Sequence, residues 1–162
     1  MNLNTRPWWI KEAIDFLDTK CLDDTMVAYE WGSGASTPWL ARRVASLVSL
    51  EDDKGWYEFM QPHVKPFGNI ELVYCPLKEG YADHILQYPD DSFDFIEVDG
   101  PQRERCVPNA IRKLKRNGVF VLDDSQLEEY TEIVALLNTQ DWWRYDFDLK
   151  EYPFKRTSVW IA

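Results

Sequence analysis

The chain has 162 residues, of which 45% are hydrophobic and 15% aromatic, and it carries a formal net charge of −10. This length suits one domain with a single buried core, and the composition argues against a disordered chain. The acidic balance argues against nucleic acid and against an anionic membrane as partners, because both bind basic surfaces.

The cysteines and the apolar runs of the sequence bear on disulfide bonds, zinc sites and membrane helices. Cys21, Cys75 and Cys106 are widely spaced and form no CxxC pair, which predicts reduced thiols and neither a disulfide framework nor a zinc site. The polar start of the chain does not resemble a signal peptide, and no apolar run approaches the ~20 residues of a membrane helix. We therefore expect a cytoplasmic protein, and a homodimer is compatible with these features.

Hydrophobic periodicity divides the chain into alternating helices and strands. Residues 8–19 have a helical period and lie in an N-terminal segment, 1–25, that precedes a core over 26–162. The predicted strands are 27–29, 46–50, 70–74, 93–98 and 119–122. The predicted helices that follow them are 39–45, 54–64, 80–86, 103–116 and 127–138. Residues 142–149 and 157–161 alternate in hydrophobicity, which predicts an antiparallel hairpin at one edge of the sheet.

Five strands that alternate with helices predict a single α/β domain over 1–162, a Rossmann-like doubly wound sheet that is mostly parallel. Ligands of such sheets bind beyond the carboxyl ends of the strands. The acidic residues at those ends are Glu30, Glu51, Asp99, Asp123 and Asp124. Because gathered carboxylates are costly to bury without partners, we expect a ligand rich in hydroxyls, amines or positive charge.

A glycine-rich turn follows the first predicted strand. Gly32 and Gly34 let the backbone approach a ligand closely. The next helix is predicted to have Ser36 or Thr37 as its N-cap and Pro38 at its first position, and its start offers unpaired N–H groups. A strand, a turn and a helix start in this order are typical of a nucleotide site.

The neighbouring residues narrow the choice of nucleotide. Glu51 ends the second strand 21 residues after Glu30, which is the position that holds ribose hydroxyls in nucleotide-binding sheets. The NAD fingerprint GxGxxG requires a glycine where Thr37 stands, and the turn lacks the lysine of a phosphate-binding P-loop. A cofactor with a ribose, no phosphate and a cationic end that tolerates Glu30 satisfies these conditions. S-adenosylmethionine has those properties.

Four blocks of the sequence resemble class I S-adenosylmethionine-dependent methyltransferases. EWGSGASTPWLA, residues 30–41, is similar to the first motif of a bacterial subgroup, E-x-G-S-G-x-S-T, and SLEDDKGWY, residues 49–57, to that subgroup's second block. FIEVDGP, residues 95–101, and GVFVLDDS, residues 118–125, resemble the family's fourth and fifth strands. The resemblance extends over residues 26–162 and implies the fold and the cofactor of this family.

The resemblance also implies a cofactor site. In it Gly32 and Gly34 lie against the methionyl and ribose parts, and Glu30 lies near the methionyl amino group. Glu51 holds the ribose hydroxyls. The residues implied for the cofactor are Glu30, Gly32, Ser33, Gly34, Ser36, Thr37, Glu51, Asp52, Trp56, Leu77 and Asp99. Residues 75–77 depart from the family, which often has an acidic or polar residue there to bind the adenine amine.

Methyl transfer is a direct displacement that depends on alignment, and it needs a base only if the acceptor must lose a proton. The candidate catalytic residues are Asp99, Asp124 and His84. Catechol-type O-methyltransferases bind Mg²⁺ through carboxylates at similar positions, which makes Asp99, Asp123 and Asp124 candidate ligands for this ion. Pro101 and Gln102 depart from the longer Asp-Gly-Asp-His form of that motif. Capping of the following helix by Asp124 is the alternative.

The sequence thus predicts methyl transfer from S-adenosylmethionine to a small-molecule or glycan acceptor, at an oxygen atom. Two alternatives stay open. One is a nicotinamide-dependent reductase of the same sheet type, which Thr37 and the lack of a Tyr-x-x-x-Lys pair after the fourth strand disfavour. The other is a subunit that binds the cofactor without catalysis.

Overall fold

The computed structural model describes residues 6–151 and 154–162. In this part the strands are β1 (Val27–Trp31), β2 (Ser46–Glu51), β3 (Ile70–Tyr74), β4 (Phe93–Val98), β5 (Leu114–Asp123), β6 (Trp143–Leu149) and β7 (Lys155–Ile161). The α-helices are α1 (Lys11–Phe16), α2 (Ser36–Ala41), α3 (Lys54–Val64), α4 (Arg103–Ile111) and α5 (Thr131–Asn138). None of these helices has the length and apolar character that crossing a membrane requires. Residues 1–5 and 152–153 of the predicted domain lie outside the described part.

All seven strands belong to one sheet, in the order β3-β2-β1-β4-β5-β7-β6. Strands β1 to β5 run parallel, and β7 pairs antiparallel with both β5 and β6. This confirms the predicted Rossmann-like sheet with its antiparallel hairpin at one edge. The chain reverses its direction of winding at β1, so β1 lies between β2 and β4 and a cleft opens at their carboxyl ends.

The core lies on both faces of the sheet because side chains alternate along each strand. Ala28 and Leu47 lie on one face and pack against residues of α1 and α2, including Ile14 and Leu40. Tyr29 lies on the other face, in a cluster that includes the following residues of α4 and α5: Cys106, Val107, Ala110, Ile133 and Leu137. Burial on both faces explains why β1, β2 and β4 read as nearly continuous apolar runs.

Several predicted elements have other bounds in the structure: α2 is Ser36–Ala41, against 39–45, and α5 is Thr131–Asn138, against 127–138. The helix predicted over 103–116 ends at Ile111, and β5 begins at Leu114, because this segment pairs with β4. The pairing is irregular between Phe93↔Leu114 and Phe95↔Val119, and Asn117 adopts its positive φ of 64° inside this bulge. The helix predicted over 80–86 is replaced by two 3₁₀ turns, Leu77–Glu79 and His84–Gln87.

The N-terminal segment also differs from the prediction. The helix begins at Lys11, not at residue 8, and ends in a π-helical turn, Leu17–Cys21. The residues before α1 pack against the sheet instead: the backbone N–H of Ile10 donates to Thr157 Oγ1 at 3.0 Å. We call residues 8–10 the N-terminal arm, because they reach the carboxyl ends of the strands.

Candidate functional site

The turn after β1 has two glycines with different roles. Gly32 has a φ of +94°, and a Cβ there would lie 2.8 Å from the backbone nitrogen of Gly100, so only glycine fits between the ends of β1 and β4. A Cβ on Gly34 would meet no atom within 4 Å. Gly32 therefore lets the ends of β1 and β4 pack closely, whereas Gly34 leaves open space in front of the turn.

A cleft of about 170 Å³ lies in front of this turn. Its lining residues are Trp8, Gly32, Ser33, Gly34, Ala35, Ser36 and Asp99. Typical ligand pockets measure about 300–1,000 Å³, so the cleft has room for part of a nucleotide. A larger cavity of about 490 Å³ lies at the opposite, amino ends of β1 and β2, away from the strand-end carboxylates. The chemistry of the lining residues, more than its size, marks the cleft as the candidate site.

Glu30 lies behind the turn and has no exposed surface. The Thr37 and Ser49 hydroxyls donate to its Oε2 at 2.7 and 2.5 Å, and the Ser36 hydroxyl donates to its Oε1. This corrects two predictions. Neither Ser36 nor Thr37 is the N-cap of α2, which is Ala35 and makes no side-chain cap bond. Glu30 has no accessible oxygen with which to contact a methionyl amino group and instead fixes the turn to β1 and β2.

Glu97 is the cross-strand neighbour of Glu30 and is also fully buried. Trp9 Nε1 donates to Glu97 Oε1 at 2.9 Å, and Glu97 Oε2 has no hydrogen-bond partner among the described residues. Burial and the adjacent Glu30 raise the pKa of Glu97 well above its ordinary value. Two buried carboxyl groups side by side favour the protonated form of Glu97, which is the direction of this shift. The N-terminal arm depends on this pair through Trp9.

Glu51 ends β2 beside the turn and is 5% exposed. Ser33 Oγ donates to its Oε2 at 2.8 Å, and the backbone N–H of Asp53 donates to its Oε1 at 2.9 Å. A carboxylate has about four acceptor positions, so this group can accept further hydrogen bonds. Trp56 supports the same region, because its Nε1 donates to the Ser33 carbonyl at 2.7 Å. Asp52 follows Glu51 and is half-buried.

Tyr81 contributes a polar atom that the sequence analysis missed. Its side chain is fully buried, and its hydroxyl has no hydrogen-bond partner among the described residues. The hydroxyl lies against the end of β4, since a Cβ on Gly100 would be 2.1 Å from it. A buried hydroxyl without a partner is costly, and a ligand that supplied one would remove this cost. No motif marks Tyr81, so the sequence carried no signal for it.

Asp99 follows β4 and faces Arg103, whose Nη2 lies 2.8 Å from its Oδ1. Its side chain is about a quarter exposed. Burial and the neighbouring Asp123 raise the pKa of Asp99 to about 7, although Arg103 and Lys155 oppose this shift. A carboxyl group with such a pKa can exchange a proton at neutral pH.

Asp123 and Asp124 follow at the end of β5. Asp123 is buried and accepts from Lys155 Nζ at 2.6 Å and from the Thr157 hydroxyl at 2.6 Å. Asp124 lies 3.3 Å from the same Lys155 nitrogen. Carboxylate oxygens of Asp99, Asp123 and Asp124 all lie within 4.8 Å of one another. The helix-cap alternative for Asp124 is wrong, because the next turn, Glu128–Tyr130, begins after Leu127 without a side-chain cap.

The structure places the remaining predicted residues apart from this cleft. His84 lines a different cavity, together with Cys75, and its Nδ1 lies 2.9 Å from the Tyr29 hydroxyl. Burial lowers the pKa of His84. The structure therefore does not bring it together with Asp99. Leu77 begins the 3₁₀ turn after β3 and is half-buried.

Trp8 and Lys155 are the other site residues that the sequence analysis missed. Trp8 was predicted as part of a helix, but it lies at the cleft with 59% of its surface exposed. Lys155 stands two residues before Thr157 in a strand, so both side chains point to the same face. That spacing was a usable signal, but its meaning depends on how β7 pairs with β5.

Comparison with models of protein families and with curated proteins finds no significant sequence match. Solved structures do match. A precorrin-6y C5,15-methyltransferase from Geobacter metallireducens aligns with a TM-score of 0.69 and 20% identity, over 97% of this chain and 92% of that chain. An rRNA methylase from Streptococcus thermophilus aligns with a TM-score of 0.73 and 12% identity, over 98% and 96%.

A third match is a Streptococcus mutans protein described as a methyltransferase and solved in complex with SAH, with a TM-score of 0.70 and 12% identity over 98% and 99% of the two chains. Identities this low establish the fold alone. The chain therefore has the Rossmann-like fold of class I S-adenosylmethionine-dependent methyltransferases, as predicted.

Proposed function

We propose that this chain binds S-adenosylmethionine in the cleft before Gly34 and transfers its methyl group to a small-molecule or glycan hydroxyl. The observation that carries this proposal is the arrangement around the turn. Gly34 opens onto the cleft, and Glu51 and Asp99 lie at the ends of the two strands that flank β1. A ribose and a reactive methyl group would then have a carboxylate on either side.

The residues present fit this cofactor on three observations. The open space at Gly34 is a cradle that any side chain would fill. Glu51 is held in place by Ser33 and by backbone, yet it can accept ribose hydroxyls. The Tyr81 hydroxyl lacks a partner that the cofactor can supply. When bound, S-adenosylmethionine supplies a methyl group on a positively charged sulfur.

The chain's own residues account for the remaining requirements of the reaction. Asp99 can take the proton of an acceptor hydroxyl, because its pKa of about 7 leaves it partly ionised at neutral pH. Trp8 presents an exposed indole at the cleft against which an acceptor can pack. The net charge of −10 supports a small-molecule or glycan acceptor over RNA, despite the fold shared with an rRNA methylase.

A dinucleotide fits the turn less well. The Gly34 N–H already donates to Thr37 Oγ1 at 2.9 Å, so it is not free to bind a pyrophosphate. The Ser36 and Thr37 hydroxyls of the same turn already donate to Glu30, so they are not free to donate to a phosphate. These contacts disfavour the nicotinamide-dependent reductase.

Titration calorimetry with S-adenosylhomocysteine and with NADH tests the proposal. We expect micromolar binding of S-adenosylhomocysteine and far weaker binding of NADH. Gly34→Leu is the matched variant: it should abolish binding by filling the cleft while it leaves the melting temperature unchanged, because no atom lies within 4 Å of the new Cβ. Tighter binding of NADH, or unchanged binding by Gly34→Leu, would contradict the proposal.

The acceptor can be tested with labelled S-adenosylmethionine. Transfer of label to members of a panel of small hydroxyl compounds and oligosaccharides, with none to RNA, is the expected result. Trp8→Ala should raise the KM for the acceptor and leave the affinity for S-adenosylhomocysteine within about twofold. Methylation of RNA alone would overturn the acceptor class and leave the cofactor assignment intact.

A further inference from the structure

We propose that the Lys155 ammonium takes the place of a divalent metal ion among Asp99, Asp123 and Asp124, so that this chain acts without one. Its relevance to methyl transfer rests on the proposed function, but the exclusion of a metal can be tested without it. The three carboxylates have the chemistry and the spacing of a metal site, with ligand oxygens within 4.8 Å of one another. The lysine lies among them.

The position of the ammonium is fixed by two carboxylates. Lys155 Nζ lies 2.6 Å from Asp123 Oδ2 and 3.3 Å from Asp124 Oδ1. Asp123 has a side chain only 2% exposed, so this ion pair is shielded from water on its carboxylate side. The buried carboxylate and Asp124 raise the pKa of Lys155 above its ordinary value although burial alone would lower it. The lysine therefore stays protonated.

The pairing of β5 with β7 places the lysine there. Asp123 is the cross-strand partner of Thr157, and Lys155 lies two residues earlier on the same face of β7. Thr157 donates to Asp123 Oδ1 at 2.6 Å while Lys155 holds Oδ2. Thr157 in turn accepts from the backbone of Ile10, which ties the N-terminal arm to the same group. Both oxygens of Asp123 are thus already bound by the chain.

The charges of the cluster are also largely balanced without a metal. Arg103 pairs with Asp99 at 2.8 Å, so two cations face three carboxylates. A magnesium ion requires carboxylate oxygens at about 2.1 Å and retains several waters. At that position it would lie within a few ångströms of the ammonium, and the repulsion between the two cations would be strong at a half-buried site. The donor set therefore does not fit a divalent ion while Lys155 occupies it.

The ammonium retains the capacity for a further contact. A lysine has three N–H donors; one donates to Asp123, and the ion pair with Asp124 at 3.3 Å still leaves a donor for another group. The side chain is 26% exposed, so a ligand beside the three carboxylates can reach it. A donor fixed in this way can orient an acceptor oxygen, which is the task that a metal performs in catechol-type enzymes.

Binding of Mn²⁺, measured by the loss of the free-ion electron paramagnetic resonance signal, tests the proposal without knowledge of the acceptor. The wild-type chain should show no saturable binding at millimolar Mn²⁺. Lys155→Met should bind Mn²⁺ about tenfold more tightly than the wild-type chain or better, because the substitution removes a positive charge from among three carboxylates. Lys155→Arg should behave as wild type, since it keeps the charge.

Two further variants separate the cluster from unspecific effects. Lys115→Met removes a lysine that is also paired with a carboxylate, Asp94 at 2.8 Å, and should gain nothing. Asp123→Asn combined with Lys155→Met should lose the gained binding. If Lys155→Met does not fold, Lys155→Gln serves in its place, since its amide can still donate to Asp123.

Saturable Mn²⁺ binding by the wild-type chain that Asp123→Asn abolishes would overturn the proposal. So would a folded Lys155→Met or Lys155→Gln variant without any gain. Calorimetry with S-adenosylhomocysteine is run on the same samples. If S-adenosylhomocysteine does not bind, the proposed function is contradicted, whereas the Mn²⁺ measurements still test the proposal about Lys155.

Discussion

The two halves of the site bury their carboxyl groups in different ways. On the β1–β2 side, Glu30 and Glu51 are held by hydroxyls and a backbone N–H, and no lysine or arginine hydrogen-bonds to either of them in the described structure. On the β4–β5 side, Asp99 and Asp123 face the cations Arg103 and Lys155. Both halves avoid the cost of unpaired buried charge, but only the second does so with fixed countercharges.

This difference has consequences for what each half can do. Hydroxyl donors supply no countercharge to Glu30, and burial together with the adjacent Glu30 raises the pKa of Glu97, so this side ties the turn to β1 and β2 without fixed cations. The cations let carboxylates lie close together at the cleft, where Asp99 has a pKa of about 7. The first half therefore suits a fixed cofactor platform, and the second suits a reaction that moves a proton.

The largest effect is expected on the β1–β2 side, where hydroxyl groups donate to Glu30. Glu30→Ala leaves three buried hydroxyls without their acceptor and should lower the free energy of unfolding by about 3–5 kcal/mol, because each buried unpaired group costs about 1–3 kcal/mol. Urea unfolding measures this. Ser49→Ala, which removes a single donor, is the control and should cost about 1 kcal/mol. Equal costs for the two variants would mean that Glu30 is not a support.

On the β4–β5 side, the raised pKa of Asp99 should make the stability of the protein depend on pH. The pKa of Asp99 is about 7 in the folded chain against 3.8 for the free side chain, so between these values the folded state binds more protons than the unfolded state. Its contribution to stability is therefore full at low pH and is lost as pH rises towards 7.

Between pH 5 and 8 this loss should amount to about 2–3 kcal/mol. Urea unfolding at both values should show a larger decrease for the wild type than for Asp99→Asn, which cannot titrate. Asp99 is also one cause of the raised pKa of Glu97, so the difference between the two proteins reports the titration of Asp99 together with its effect on Glu97. Identical decreases would show that the pKa of Asp99 is not raised.

A variant of Glu51 tests whether the β1–β2 side of the site contacts the ligand. Glu51→Ala should weaken binding of S-adenosylhomocysteine by about 1.5–3 kcal/mol, the range for hydrogen bonds to a charged group. Because Ser33 and Asp53 also lose their acceptor, the ligand-free protein should lose about 1 kcal/mol of stability. Calorimetry and thermal melting measure the two effects. A large loss of stability with unchanged affinity would assign Glu51 a structural role only.

The smallest effect is expected at Tyr81. Tyr81→Phe removes a hydroxyl that has no partner in the described structure, so the ligand-free protein should be as stable as wild type or more stable. If the cofactor supplies the missing partner, its affinity should fall by about 0.5–1.5 kcal/mol. Thermal melting with and without S-adenosylhomocysteine measures both. A destabilised free protein with normal affinity would indicate an internal partner instead.

The fold followed closely from local patterns. Strands β3 and β4 begin and end at the predicted residues, as does α3, because an apolar run bounded by turn residues and a regular helical period are local signals. The prediction failed at residues 114–118, where helix-forming lysine and arginine residues lie in a strand. Pairing with β4 decides this segment, and local propensity does not include that energy.

By itself, the sequence determined the order of elements, the glycine turn and the acidic strand ends, since each is written in consecutive residues. The tertiary structure alone decided which partner each carboxylate has. Ser49 reaches Glu30, Trp9 reaches Glu97 and Lys155 reaches Asp123 across 19, 88 and 32 residues of chain. Such pairs are set by strand register and sheet order, so whether an acidic residue contacts a ligand, shares a proton or holds a lysine cannot be read from its neighbours in sequence.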